Sequence, residues 1–391
     1  MLHLLPIRFF CAALLYMLAG VGAGAADALG LGSFRAAHTH LLAGGFFTLV
    51  IMGAMYQLLP TIIGAQLRYR RVAEAQFLLV NAGFLLLTYS FLTAPGMLTL
   101  SGALLFISFL LFAFVILATC LSVPGFHRRS IAIWFFLAAV VYLLAGSGYA
   151  LVSLLGGMEF NLPTHAHLLA AGFIAMTNFG GLYELFPMLS LRQLHSRRLG
   201  EVHFLIAVLS ATGMFLSFTG RGTLFYISSA LFLAGFYLFA YNMARTYFST
   251  PHGPQVEMDI SARFMAYALV FGVAGVTAGF TTAVLGFPGS FTHAHLALAA
   301  WVGLTIVGAM YHIVPMLTWL EKYSSKVGQP GVPLIQDLYH KPLARLLLVT
   351  MNLSFAGFAF MPLLEPLALL SIPLALAFAA FAVEMFLVLR R

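Results

Sequence analysis

Apolar runs of roughly 20 residues follow one another along the whole chain, separated by short breaks of glycine, proline and charged residues. Twelve begin near residues 5, 37, 75, 98, 131, 164, 201, 222, 262, 292, 343 and 366. A helix of that length crosses a bilayer, so the pattern predicts an all-α membrane protein of twelve transmembrane helices. Composition agrees: the 391 residues are 62% hydrophobic and 8% charged, where a soluble domain has about a quarter charged.

Charge sets the orientation. Lys and Arg gather in the breaks after even-numbered runs, at Arg68, Arg70 and Arg71, at Arg128 and Arg129, at Arg192, Arg197 and Arg198, and at Lys322, Lys326, Lys341 and Arg345. Arg245 and Arg263 follow the eighth run, and Arg390 and Arg391 end the chain. Arg35 and Arg221 stand on the other side. The positive-inside rule then places both termini in the cytoplasm and the chain in the cytoplasmic (inner) membrane as a multi-pass protein. The net charge of +8 is a topology signal, with no nucleic-acid partner implied. The first run, "RFFCAALLYMLAGVGAGAADA", also has the form of a signal peptide; it is taken here as a retained helix, and its removal would leave eleven spans with every later orientation unchanged. Cys11 and Cys120 both lie inside apolar runs, which excludes a disulfide framework or zinc motif.

Within this pattern one segment recurs. "AAHTHLLAGGFFTLVIMGAMYQLLP", "PTHAHLLAAGFIAMTNFGGLYELFP" and "SFTHAHLALAAWVGLTIVGAMYHIVP" place His38, His165 and His293 at spacings of 127 and 128 residues, and the same offsets join Tyr56, Tyr183 and Tyr311, then Pro60, Pro187 and Pro315. A fixed period means an internal repeat. The units are approximately 1–125, 126–250 and 251–391, each of four helices in a single transmembrane domain. The motif helices are the second, sixth and tenth, and all six histidines (His38, His40, His165, His167, His293, His295) lie near the outer face.

Residues two apart on an α-helix point about 200° from each other. Each motif helix therefore offers one imidazole to each of two neighbours, and three such helices around a pseudo-threefold axis create three gaps, each faced by two histidines. That arrangement suits large flat ligands held from both sides. Ionisable groups at membrane depth are functional by default, and a helix N-terminus keeps an imidazole neutral, the state a metal needs. Small residues lie below the pairs, at Gly44 and Gly45, Ala171 and Gly172, Ala299 and Ala300, then Gly53, Gly180 and Gly308. They fit close helix packing and a macrocycle face equally well. Tyr56, Tyr183 and Tyr311 lie roughly 24 Å further along, at the depth of the cytoplasmic interface where tyrosine is enriched. His312 and Glu184 take the next position, where an interface role is the first reading and the start of a proton entry path the second; Glu184 is the one clear carboxylate candidate for the latter.

The sequence resembles the heme-copper oxidase superfamily, whose catalytic subunit I, also the relative of nitric oxide reductases, has twelve helices in three groups of four. Its helix ten carries a His-x-His pair near the outer end, matched here by "THAHL". The resemblance implies that His293 faces a high-spin haem and His295 a low-spin haem whose other ligand is His38 or His40. It departs at the copper site. Helix six offers His165 and His167, but helix seven reads "SATGMFLSFTG" in its outer half and lacks the adjacent histidine pair. His203 is a membrane thickness away, and Leu169 stands where typical oxidases have tyrosine.

These readings combine into an expectation. The chain is a divergent subunit I-like membrane haem protein, with haem, b-type and one to three per chain, held by His pairs between helices two, six and ten. The gaps pair His295 with His38 or His40, His293 with His165 or His167, and whatever remains between helices two and six. Copper is not expected in the standard site. The implied work is electron transport or O2 or NO binding, oxidoreductase chemistry without standard proton pumping, with a quinol or cytochrome as electron donor and oligomerisation left open. Arg35 and Arg221 are placed to meet haem propionates. The alternative is a copper or zinc transporter or metal-handling protein built on the same six imidazoles.

Overall fold

The computed structural model describes residues 4–249 and 258–391. The boundary drawn between the second and third sequence units, at 250–251, lies outside the described residues. The described chain is all helical, and eleven of its helices are long and apolar enough to cross a membrane. In order they are α1 (Leu4–Ala28), α2 (Arg35–Ile63), α3 (Arg70–Leu92), α4 (Leu98–Leu121), α5 (Ile131–Leu154), α6 (Leu162–Leu189), α7 (Arg197–Ser217), α8 (Thr223–Tyr247), α9 (Ile260–Leu285), α10 (Ser290–Lys322) and α12 (Ser371–Arg390). The remaining helix, α11 (Lys341–Phe358), is less apolar because Lys341 and Arg345 occupy its first turns.

Burial separates three helices from the rest. In their most apolar stretches α2, α6 and α10 are 72%, 78% and 72% buried, while the others range from 22% to 56%. The outer helices pack in chain order, α4 on α5, α8 on α9 and α12 on α1, closing a ring around the three inner ones. α1 is part of that ring, with Phe9, Phe10 and Met17 fully buried.

The small residues below the histidines are explained by this packing. A Cβ on Gly45 would lie 2.5 Å from the Tyr16 ring of α1, one on Gly172 2.6 Å from Tyr142 of α5, and one on Gly308 2.7 Å from the Ser261 carbonyl of α9. Gly53 and Gly180 meet Phe9 and Phe136 in the same way. Each of these glycines faces a neighbouring helix, so helix approach and not a macrocycle face accounts for them. Pro60, Pro187 and Pro315 lie inside their helices, which continue beyond them.

Candidate functional site

Each inner helix changes its winding at the histidines. A short α-helical lead carries the first histidine, and a π-helical stretch follows at His40–Thr48, Leu168–Ile174 and His295–Ala300. Such wide turns inside α-helices are frequent at functional sites.

The six imidazoles are held by two repeated bonds. The first ring of each pair reaches an outer helix: Nδ1 of His38 donates to the Gly20 carbonyl at 2.8 Å, that of His165 to Gly146 at 3.3 Å and that of His293 to Gly275 at 2.8 Å. The second ring folds back on its own helix, His40 onto the Ala36 carbonyl, His167 onto Pro163 and His295 onto Phe291, each at 2.9 Å. A carbonyl only accepts, so each Nδ1 carries the proton and each Nε2 keeps a bare lone pair. A donor Nδ1 fixed by a carbonyl is the usual support for a metal-binding Nε2.

The pairs face across the helices in rotation. His40 of α2 meets His165 of α6, with ring centroids 6.4 Å apart and planes at 21°. His167 of α6 meets His293 of α10, at 6.0 Å and 13°. His295 of α10 and His38 of α2 lie within electrostatic reach of each other. Of the partners the sequence left open, the structure brings His167 to His293 in ring contact and pairs His40 with His165, which leaves His38 as the α2 histidine on the side of His295. Aromatic rings from the outer helices back the second histidines: Phe91 lies 4.7 Å from His40, Phe218 4.7 Å from His167, and Phe358 5.3 Å from His295, which also stacks on Phe291 at 3.9 Å.

The two arginines stand at the histidine end of the bundle. Arg35 opens α2 and is exposed. Arg221 adopts a positive φ of 38° and lays its guanidinium over the Phe225 ring at 5.8 Å.

Several supporting residues were missed by the sequence reading. Gly20 and Gly24 on α1 form a shelf for His38, and Gly275 and Gly279 do the same on α9 for His293. Their signal was legible as glycines four apart, which lie on one helix face. The tyrosines also require correction. Tyr56, Tyr183 and Tyr311 are 3%, 4% and 1% exposed, so whatever their depth they point into the bundle and not out to an interface. Each finds a polar partner on a neighbouring helix, which is what allows a phenol to be buried: Gln76, His203 and Glu384 respectively. Glu184 is half-buried and accepts from the Ser130 hydroxyl at 2.6 Å, whereas the deeply buried carboxyl is Glu384, 4% exposed. Trp134 is exposed and Trp301 buried, while Trp319 donates to the Pro333 carbonyl at 2.7 Å.

Three inner helices bearing histidines, ringed by nine outer helices among the described residues, have a solved counterpart. The structure superimposes on a heme-copper terminal oxidase determined as a dimer by cryo-electron microscopy, with a TM-score of 0.74 over 100% of this chain and 83% of that one, at 13% identity. The chain has the fold of a heme-copper oxidase subunit I. At that identity the likeness concerns the fold. No protein-family model matches the chain. An uncharacterized protein of Aquifex aeolicus is 28% identical over 291 residues, covering 73% of this chain and 72% of that one.

Proposed function

We propose that this subunit I-like membrane protein binds haem in the gaps between α2, α6 and α10 and works in electron transfer. The observation that carries the reading is the facing of paired imidazoles, 6.0 and 6.4 Å apart at their centres and nearly parallel, with every Nδ1 already committed. Two imidazoles on opposite sides of one metal ion, with bonds of about 2.0 Å, stand about 6 Å apart.

The donor set favours haem over a bare ion. Among the described residues no group of three or more His, Cys, Asp or Glu side chains comes together. Structural zinc takes four protein ligands and catalytic zinc three. A haem iron brings four ring nitrogens of its own, so two imidazoles complete it. His38 with His295, His167 with His293 and His40 with His165 would be the holders, and haem held on both axial sides passes electrons. A gap in which one imidazole stands back would leave room for O2 or NO. The donor, on this reading, is a membrane quinol or a partner cytochrome, and the histidine end faces away from the cytoplasm.

Absorption spectra of the oxidised and reduced protein, with haem and metal counted per chain, test this. A sharp reduced α-band lost on substituting paired histidines supports it. Stoichiometric copper or zinc with no haem, after expression with ample haem, overturns it in favour of the metal-handling alternative.

A further inference from the structure

The three buried tyrosines provide an internal comparison. All must satisfy a hydroxyl inside the bundle, at the end opposite the histidines, and they do so with three different chemistries. Tyr56 donates to the Gln76 amide oxygen of α3 at 3.2 Å. Tyr183 meets Nδ1 of His203 on α7 at 3.1 Å. Tyr311 donates to Oε2 of Glu384 on α12 at 2.5 Å. The first case shows that a neutral amide is enough to bury such a tyrosine, and an amide is far cheaper to desolvate than an ionisable carboxyl. Packing alone does not call for an acid at position 384.

We propose that Glu384 is a proton-binding site, exchanging protons with the end of the bundle predicted to face the cytoplasm. Its surroundings suit both protonation states. Ionised, it accepts from the Tyr311 hydroxyl and, through Oε1, from the His340 backbone N–H at 2.7 Å, both distances in the charge-assisted range. Protonated, it can turn the first bond round, because a phenol accepts as readily as it donates. Both carboxyl oxygens keep a partner in either state and the heavy atoms need not move; the one donor released when the bond turns round is the Tyr311 phenol proton. An amide at the same place could not exchange a proton at all.

The route outward is short. His340 closes the segment between α10 and α11, and the Tyr339 ring beside it lies 5.2 Å from that of Tyr311. Charged and titratable groups stand on the elements around it: Asp259 caps α9, His312 follows Tyr311 on α10, and Lys322 of α10 donates to the Leu389 carbonyl of α12. Asp337 pairs with Lys341 and Arg345 follows at the start of α11, Arg390 and Arg391 stand at the end of α12, and α1, which packs on α12, carries Arg8. Asp259, Asp337 and Arg345 all act on Tyr339, so the mouth carries mixed charge.

Infrared difference spectroscopy of the purified full chain in lipid nanodiscs, stepped through pH in H2O and D2O, tests the proposal. Wild type is expected to show a carboxylic-acid carbonyl band that appears as pH falls, shifts in D2O and disappears in Glu384→Gln. Tyr311→Phe should move the pH at which the band appears by about one unit or more, the value of a hydrogen bond to a charged group. Tyr56→Phe should leave it in place. Circular dichroism and thermal melting check that Glu384→Gln folds, as the Tyr56–Gln76 pair leads one to expect. Superimposable titrations of wild type and folded Glu384→Gln would overturn the proposal, since Glu384 would then hold one protonation state throughout.

Discussion

A Cβ at Gly279 would sit 2.5 Å from Nδ1 and 2.6 Å from Cε1 of His293. Ordinary contact begins at 3.4 Å, so Gly279→Ala forces the ring back by 0.9 Å. Gly279 and Gly275 are on the same helix, and retreat from one is retreat from the other. The 2.8 Å bond from His293 to the Gly275 carbonyl then stretches to about 3.7 Å, outside hydrogen-bond range. The free ring loses its orientation and its tautomer. Loss of such outer support costs about tenfold to hundredfold in metal affinity, or roughly 1.4–2.8 kcal/mol. Haem titration of the purified protein, followed by the low-spin optical signal, should show one class of site weakened by that factor while the others are unchanged. Gly22→Ala is the control, because nothing lies within 4 Å of a Cβ there. Equal haem affinity and spectra for Gly279→Ala and wild type, or an equal loss in Gly22→Ala, would refute the reasoning.

Other outcomes follow from the same geometry. His295→Ala should remove a low-spin signal that His312→Ala, on the far part of the same helix, leaves intact; equal losses would show that the haem is not held at the histidine end. Tyr183→Phe removes the one hydrogen-bond partner that the His203 ring has among the described residues, where its Nε2 is already unpaired and buried, and should destabilise the protein by about 1–3 kcal/mol, read as a lower melting temperature in detergent. Asp337, outside the membrane, is held below the ordinary carboxylate range first by the hydrogen bond from Lys341 at 2.9 Å. Its contribution is therefore complete above the unfolded-state pKa and fades as pH falls through the depressed folded value. Lys341→Met should return the Asp337 titration, followed by carboxyl NMR, toward the ordinary range; an unchanged midpoint would mean Lys341 is not the cause.

The apolar runs were enough to locate the helices, because bilayer thickness imposes a length that needs no tertiary partner. The His-x-His spacing likewise decided that the two rings leave one helix in opposite directions, a consequence of helical pitch alone. Which ring meets which was not legible. His40 meets His165 and His167 meets His293 because of how α2, α6 and α10 stand around their axis, and one sequence carries no record of that angle. Gly20 and Gly275 hold histidines 18 residues further on, a contact made only when adjacent helices turn back and pack. Tyr311 looked interfacial from its depth, since depth is set by local rise along a helix. Its burial, and the role of Glu384 73 residues away, arise from α12 closing the ring beside α10. Local periodicity determined what enters the membrane and which faces carry the histidines; the packing of distant helices decided what those faces meet.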